Sequence, residues 1–311
     1  MQGNASRERQ YKRFSLFSRE EYDGSDYFPA ELFGEDAAPV HSVVLRPALA
    51  DAVFPLLVVN RDIAVCRHIP VTLYLNGEYW RETYLCERYD TDYFKSHYGI
   101  NDDNLIVIKE GQVEEGNGSD VAYYDEIFSY LDSHDMSDKG AYLGFCDLVD
   151  INNYIEYCCV NLYAANMDLR ENRNMLLWRT RKPSEREGYK DGRWRWAVFD
   201  IDALDWVEPA DYNGAKKKSQ INPFRSKQIF DDYIFENDRI FSALKRNPDF
   251  CSQFMAKFMD MMDTDFSVEN VGKVLSDLGE DADAYDSFFL ERQKYMQEYL
   301  ADEFGMEKQE K

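Results

Sequence analysis

Along the first third of the chain, apolar residues occur in short runs or in alternation, as in β-strands. Residues 42–46, S-V-V-L-R, are predicted to form a buried strand, and N-L-I-V-I-K-E-G predicts another that ends at Lys109. Two further β-rich runs flank Asn76 and Gly77, which predict a hairpin because a type I′ turn needs positive φ at both central positions. We therefore expect a β-rich first lobe over residues 1–113.

Helical patterns interrupt this lobe. Asp90 and Gly99 are the predicted N-cap and C′ residues of one short helix, and the stretch from Leu45 to Ile69 is expected to include another. The polar segment E-E-G-N-G-S-D, residues 114–120, is predicted to be a surface loop and the boundary between two lobes.

Beyond this segment, apolar residues recur every three or four positions, which is the pattern of amphipathic helices. The run D-L-V-D-I-N-N-Y-I-E-Y-C-C-V-N-L-Y-A-A-N predicts a long, largely buried helix that leads directly to Asp168. Similar runs continue to the C-terminus, among them Q-I-F-D-D-Y-I-F and S-F-F-L-E-R-Q-K-Y-M-Q-E-Y-L. The predicted fold class is α+β, with a helical second lobe over residues 120–311.

Composition agrees with a globular protein. With 311 residues, of which 44% are hydrophobic, the chain can bury a large core in one domain or two lobes. The net charge of −23 disfavours nucleic acid as a partner. An acidic surface can attract basic peptides, although it more commonly serves solubility alone.

Several other chemistries find little support. The six cysteines lack C-x-x-C spacing and are expected to be buried thiols, and four scattered histidines favour neither a zinc site nor a histidine-based triad. No apolar run approaches the roughly 20 residues of a membrane span. The start of the sequence lacks the apolar region of a signal peptide, so the chain as it stands is expected to be soluble.

The candidate chemistry lies between Asn166 and Asp205. Five side chains with oxygen ligands lie at the edges of two apolar runs: Asp168, Asn172, Asn174, Asp200 and Asp202. Phosphoryl transfer needs one carboxylate to orient the attacking hydroxyl, and an Asn with a second carboxylate to hold Mg²⁺ on the phosphates. The alternative is that these acids are helix caps and surface turns.

Motifs spread over nearly the whole chain resemble, in the same order, the spore-coat CotH kinase family. The matching segments are G-N-A-S-R and Y-K-R-F-S-L within 3–16, V-L-R at 44–46, R-D at 61–62, L-N-G-E-Y-W and Y-L-C-E-R within 75–88, N-M-D and N-R-N-M-L-L-W within 166–178, W-A-V-F-D-I-D at 196–202, and F-F-L-E-R at 288–292. The resemblance implies an atypical protein kinase with a two-lobed kinase-like fold, which uses ATP and Mg²⁺ or Mn²⁺ to phosphorylate Ser or Thr of a protein.

By position, Asp168 resembles the catalytic-loop aspartate of that family, and Asp200 resembles its metal-binding aspartate. The resemblance implies Asn174 as the second metal ligand, with Asn172 as the alternative. Asp202 is expected to be structural, since it follows the strand at a turn.

The resemblance also implies residues for the nucleotide. Lys12 matches one position of a paired Lys-Lys and is the implied phosphate contact, and Arg13, at the other position, is expected to share that role. Glu87 closes the predicted hairpin, where a Lys or Arg partner is expected. The resemblance places Glu87 either in a pair with the lysine or on the wall of the nucleotide cleft.

Two departures from the family support a second hypothesis. Arg81 and Glu82 follow Trp80 where the family usually has Gly, and the chain begins almost on its G-N-A-S-R turn, so an N-terminal truncation is expected. The alternative function is a weakly active or inactive pseudokinase-like module of a surface or spore-coat assembly. Full-length relatives are often secreted, on the cell surface or in the spore coat, and neither the compartment nor the oligomeric state of this chain follows from the sequence.

Overall fold

Two antiparallel sheets contain the strands of the protein. A computed structural model describes residues 13–34, 37–169, 172–184, 186, 188–212, 214–225, 238–281 and 285–305. The first sheet has the order β1-β2-β4-β3 and the second has the order β6-β5-β7-β8. The strands are β1 (Phe14–Phe17), β2 (Ser42–Arg46), β3 (His68–Leu75), β4 (Glu78–Cys86), β5 (Leu105–Lys109), β6 (Gln112–Glu115), β7 (Leu176–Thr180) and β8 (Arg195–Trp196).

Helices are the main secondary structure of the described residues after residue 120. They are α1 (Glu20–Asp23), α2 (Leu49–Leu57), α3 (Thr91–Tyr98), α4 (Val121–Ser133), α5 (Lys139–Cys146), α6 (Ile151–Tyr163), α7 (Ala203–Trp206), α8 (Arg239–Leu244), α9 (Pro248–Asp263), α10 (Val268–Asp277) and α11 (Asp286–Phe304). The predicted α+β class is confirmed. Within the described residues, no helix combines the length and the apolar character that crossing a membrane requires.

The local predictions of the first lobe are confirmed. Asn76 and Gly77 have φ of 53° and 84° and join β3 to β4, as a type I′ turn requires. Asp90 caps α3 by accepting from the backbone N–H of Tyr93, and Gly99 ends the helix in the left-handed conformation. The helix expected after Leu45 is α2.

The segment 114–120 differs from its prediction as a surface loop. Glu114 and Glu115 belong to β6, which pairs with β5 through a tight turn at Glu110 and Gly111, both with positive φ. Asp120 is buried and forms an ion pair with Arg181. The second sheet therefore takes strands from both sides of this segment, and a lobe boundary there stays a prediction.

Helix α6 is the centre of the largest apolar core. Every residue of α6 except Asn152 is buried, and α9 and the strand β8 pack against it. Cys158 and Cys159 on this helix are free, buried thiols, as are Cys66 and Cys86, in agreement with the prediction. Cys146 and Cys251 are also free but only half-buried, so for these two the prediction of burial was wrong. The predicted run Q-I-F-D-D-Y-I-F lies outside the described residues, whereas α11 confirms the last predicted helix.

A buried arginine holds the end of α6. Arg292 on α11 donates to the carbonyl oxygens of Leu162 (2.7 Å) and Tyr163 (2.9 Å), and to those of Ser219 (3.0 Å) and Ile221 (2.5 Å). Burial lowers the pKa of Arg292 to about 10. Because the C-terminal carbonyls of a helix carry partial negative charge, a guanidinium at this end is favourable.

Arg292→Met should lower the free energy of unfolding by about 3 kcal/mol or more, because several buried carbonyls would lose their donor. Urea denaturation measures the change. Arg246→Met is the matched control, since its pair with Asp135 is exposed on both sides and should contribute less than about 1 kcal/mol. Equal losses in the two variants would contradict the role of Arg292.

Candidate active site

A cleft lies between the two sheets. Its apolar wall is formed by Val44 of β2, Leu176 of β7, and Val198 and Phe199 after β8. Its charged lining residues come from several elements: Arg46, Asp51, Glu87, Arg88, Lys109, Glu114 and Asp200. An apolar slot with charged groups at one end is the usual form of a site for a small, charged ligand.

Three carboxylates meet at the inner end of this cleft. Asp51 lies in the first turn of α2, Asp200 follows β8, and Asp202 immediately precedes α7. One oxygen of each lies within 4.8 Å of the others. Asp200 has φ of 51°, a conformation that costs about 1–3 kcal/mol for a residue with a side chain and is concentrated at functional sites.

Two arginines neutralise much of this charge. Arg13 Nη1 donates to Asp200 Oδ1 at 2.6 Å, and Arg13 Nη2 pairs with Asp202. Arg46 Nη1 donates to Asp51 Oδ2 at 3.0 Å and to Asp200 Oδ1 at 3.2 Å. The other oxygen of Asp51 accepts from the backbone N–H of Ile201 at 2.9 Å, which fixes α2 against the Asp200 segment.

The three aspartates do not share one electrostatic environment. Burial raises the pKa of Asp200, but Arg46 and Arg13 outweigh that effect and lower the pKa below its usual value. For Asp202, burial and the nearby charge of Asp51 outweigh Arg13 and raise the pKa to about 6. Asp200 is therefore ionised at neutral pH, whereas Asp202 changes its protonation state at a pH of about 6.

This donor set fits a hard divalent cation. Mg²⁺ and Mn²⁺ prefer carboxylate and carbonyl oxygens, and three carboxylates reach one point here. Asp200 and Asp202 would hold such an ion, with Asp51 beside them. Arg13 bonds to both Asp200 and Asp202, so a cation bound there would compete with this arginine.

Asp168 lies in the segment between α6 and β7. Its side chain is one-fifth exposed and pairs with Arg173 at 3.0 Å. Asn174 is buried, and its Nδ2 donates to the backbone carbonyl of Asp168 at 3.0 Å. Ala165 and Asn174 both have positive φ, so unusual backbone conformations shape this segment as they do Asp200.

The two asparagines face different partners. Asn174 contacts the Asp168 segment, whereas the Oδ1 of the exposed Asn172 accepts from Tyr124 on α4 at 2.8 Å. Asn172 also lies against Gly111 in the β5–β6 turn. These contacts favour Asn174 over Asn172 as the partner of Asp168, and the role of either as a metal ligand stays a prediction.

The second sheet places the Asp168 and Asp200 segments side by side. Leu177 of β7 pairs with Trp196 of β8, and the N–H of Ala197 donates to the carbonyl of Leu176 at 3.0 Å. Because the strands are antiparallel, Asn174 enters β7 at the same end of the sheet at which Asp200 leaves β8. The two candidate segments therefore adjoin through a strand pair.

The three residues that the resemblance implies for nucleotide binding differ in what the structure shows of them. Lys12 lies outside the described residues. Arg13 is buried and bound to carboxylates. Glu87 lines the cleft, and among the described residues it accepts from the backbone N–H of Arg67 (2.8 Å) and lies 3.0 Å from Nε2 of His97. A pair of Glu87 with Lys12 stays a prediction.

Sequence reasoning missed three contributors to the site. Asp51 and Arg46 come from a stretch in which only a strand and a helix were predicted, yet both contact Asp200 or its neighbour. Lys109 also lines the cleft, with its Nζ 5.1 Å from the centre of the Phe199 ring. Arg46 and Asp51 stand among apolar residues in V-L-R-P-A-L-A-D. Charged residues in such a setting were the available indication of these two contributors, because a buried charge needs a partner.

Asp202 is more than the structural residue that was expected. It does accept from Trp206 Nε1 at 2.9 Å in the turn leading into α7, but it also shares Arg13 with Asp200.

Asp200→Asn and Asp202→Asn should change stability in opposite directions at pH 8. The carboxylate of Asp200 is stabilised in the folded state, so its loss should lower the free energy of unfolding. The raised pKa of Asp202 means that the folded protein binds this proton more tightly than the unfolded chain, so ionisation removes stability as the pH rises through about 6.

Asp202→Asn should therefore raise the free energy of unfolding at pH 8 by about 1–3 kcal/mol, since a tenfold change in proton affinity corresponds to about 1.4 kcal/mol. The difference from the unmodified protein should shrink towards pH 4.5. Urea denaturation at both pH values checks this. Destabilisation by both variants at pH 8 would be inconsistent with the opposite pKa directions.

Comparisons with known proteins identify the family. A search of curated proteins gives no match. Among solved structures, the chain is similar to one in the Shewanella oneidensis MR-1 toxin–antitoxin complex of HipA, HipB and operator DNA, at 13% identity and a TM-score of 0.43. That alignment covers 94% of this chain and 64% of the other, so this chain spans less than two thirds of its length, and the similarity is too distant to carry an argument. The model of the family described as CotH kinase protein matches residues 3–301, nearly the whole chain, and the chain therefore belongs to the CotH kinase family.

Proposed function

We propose that this chain is an ATP- and Mg²⁺-dependent protein kinase that phosphorylates Ser or Thr of a surface or coat protein. The observation that carries the proposal is that the chain enters β7 from the Asp168 segment at the same end of the β7–β8 pair at which it leaves β8 towards the Asp200 cluster, which lies beside a cleft with an apolar wall. Phosphoryl transfer needs a proton acceptor and a charge-neutralising site in this proximity.

Asp168 has the role of proton acceptor in this proposal. The substrate hydroxyl oxygen forms a bond to the γ-phosphorus of ATP, the bond from that phosphorus to the ADP oxygen breaks, and the hydroxyl proton passes to the carboxylate of Asp168. Arg173 and the bond from Asn174 to the Asp168 backbone would orient this carboxylate. A divalent cation, when bound, supplies neutralisation of the phosphate charge.

Asp200 is the proposed metal holder, together with Asp202 from the same carboxylate cluster and with Asn174, the second ligand that the family implies. The pKa of Asp200 is lowered by Arg46 and Arg13 against the effect of burial, so its carboxylate is available as an anionic ligand at neutral pH. The nucleotide would lie against Val44, Leu176 and Val198, with its phosphates towards Asp200. In the family-based assignment, Lys12 and Arg13 contact these phosphates.

A basic Ser- or Thr-rich segment is the proposed substrate. The chain has 59 acidic against 36 basic residues, and opposite charge favours encounter with a basic partner. Assignment to a surface or coat protein, and the choice between Mg²⁺ and Mn²⁺, rest on the family alone.

A pseudokinase-like binding module is the second candidate. One observation favours it: Arg13 and Arg46 already neutralise the carboxylates that a metal would need. Arg81 and Glu82 on β4, where the family usually has Gly, point in the same direction. The two candidates differ in whether Asp168-dependent phosphate transfer occurs.

Asp168→Asn and Asp200→Asn should each reduce phosphate transfer at least about 100-fold, because the first removes the proton acceptor and the second a metal ligand. The measurement is transfer from radiolabelled ATP, with Mg²⁺ or Mn²⁺, to the protein itself and to a basic Ser-rich peptide. Asp132→Asn is the control, since Asp132 is exposed and pairs only at the surface with Arg239. Absence of transfer by the unmodified chain would reject the kinase proposal in favour of the binding module.

Asn174→Ala should weaken Mn²⁺-dependent nucleotide binding about tenfold or more, whereas Asn172→Ala should change it less than about twofold. The physical reason is that Asn174 bonds to the Asp168 backbone and precedes β7 at the end of the strand pair at which Asp200 follows β8, while Asn172 is held by Tyr124. Thermal shift with a nucleotide analogue, with and without Mn²⁺, compares the variants. A larger loss in Asn172→Ala would reverse the assignment.

A further inference from the structure

Arg13 and a bound metal would use the same carboxylates. One guanidinium nitrogen of Arg13 contacts Asp200 Oδ1 at 2.6 Å and another contacts Asp202. A cation coordinated by these carboxylates would lie close to the guanidinium that they now bind. Because two like charges so close together repel, binding of the metal and binding of Arg13 oppose each other.

The two arginines of the cluster are not equally free to leave. Arg46 ends β2, which is paired with β1 on one side and with β4 on the other, and its guanidinium also lies 5.4 Å from the centre of the Phe199 ring. Arg13 lies immediately before β1, a four-residue edge strand that pairs with β2 alone among the described strands. Among the described strands, Arg46 thus ends a strand that is paired on both sides and Arg13 precedes one that is paired on a single side, so Arg13 is the arginine that we expect to move.

A phosphate group could replace the two carboxylates as the partner of the Arg13 guanidinium. The planar guanidinium binds carboxylates and phosphates with the same two-pronged geometry. A triphosphate that enters with a divalent cation brings both exchange partners at once, a cation for the carboxylates and phosphate oxygens for the arginine. Metal or nucleotide alone brings only one of them.

We propose that Arg13 is a built-in substitute cation, which occupies Asp200 and Asp202 in the empty protein and transfers to the phosphates when metal and nucleotide bind together. This inference rests on the proposed function for its nucleotide half. It makes the site selective for a metal–nucleotide complex over free divalent cations. The coupling is reciprocal, because whichever ligand displaces Arg13 removes that cost for the other.

The test is calorimetric titration of the full chain with MnCl₂ alone, and then with a non-hydrolysable ATP analogue in the presence of Mn²⁺. Arg13→Gln should bind free Mn²⁺ about tenfold more tightly than the unmodified chain and the Mn²⁺–nucleotide complex about tenfold more weakly. Simple damage to the site would weaken both. Arg88→Gln is the control for free Mn²⁺, since Arg88 lines the same cleft but pairs with Glu114.

Arg13→Lys provides a second variant that retains a positive charge. It loses the two-pronged contact, so its affinity for free Mn²⁺ should lie between those of the unmodified chain and Arg13→Gln. Unchanged or weaker binding of free Mn²⁺ by both variants would overturn the proposal, as would a Mn²⁺–nucleotide affinity that Arg13→Gln leaves unchanged.

Failure of the proposed function can be told apart from failure of this inference. If the unmodified chain binds no nucleotide with Mn²⁺, the kinase proposal and the transfer of Arg13 to phosphates both fail. The titration with MnCl₂ alone still decides whether Arg13 competes with a metal for Asp200 and Asp202. Tighter binding of Mn²⁺ by Arg13→Gln supports this competition, and equal binding overturns it.

Discussion

The buried carboxylates of Asp51, Asp200 and Asp202 impose the constraint on which the arrangement of this protein depends. Removing charges from water is costly unless they find opposite charges or hydrogen-bond donors. Here the compensating groups come from distant parts of the chain, with Arg13 before β1, Arg46 at the end of β2, and the backbone N–H of Ile201. The first sheet is consequently tied to the segment that leaves the second sheet, and the cleft between them has a charged inner end.

A second constraint fixes the segment that contains Asp168. Asn166 is fully buried and bonds to Asn161 on α6 through both its side chain (2.8 Å) and its backbone N–H (3.0 Å). Arg292 satisfies the last carbonyls of α6, and β7 begins two residues after Asn174. The segment is thus fixed to a buried helix before it and to a sheet after it, as positioning a reacting carboxylate requires.

Local chemistry made part of this structure predictable. The Asn76–Gly77 turn and the Asp90 cap depend on residues within a few positions of one another, so the sequence alone specifies them. The contact of Asp51 with the Ile201 N–H joins residues 150 positions apart, and no periodic pattern encodes that meeting. The Glu110–Gly111 turn was also missed, because Glu is a poor indicator of positive φ, and two residues of β6 were consequently assigned to a loop.

Asp200 and Asp202 show why composition at a site does not determine chemistry. They stand two residues apart in the same D-I-D sequence, and both are largely buried. The left-handed backbone at Asp200 turns its carboxylate between two guanidinium groups, whose effect exceeds that of burial and lowers the pKa. Asp202 pairs with Arg13 and lies near Asp51, and there burial and like charge dominate, so its pKa rises to about 6. The pKa of one aspartate is therefore lowered and that of the other raised, although the two carboxylates share an arginine. A divalent cation that entered the cluster would lower the pKa of Asp202 and favour its ionised form.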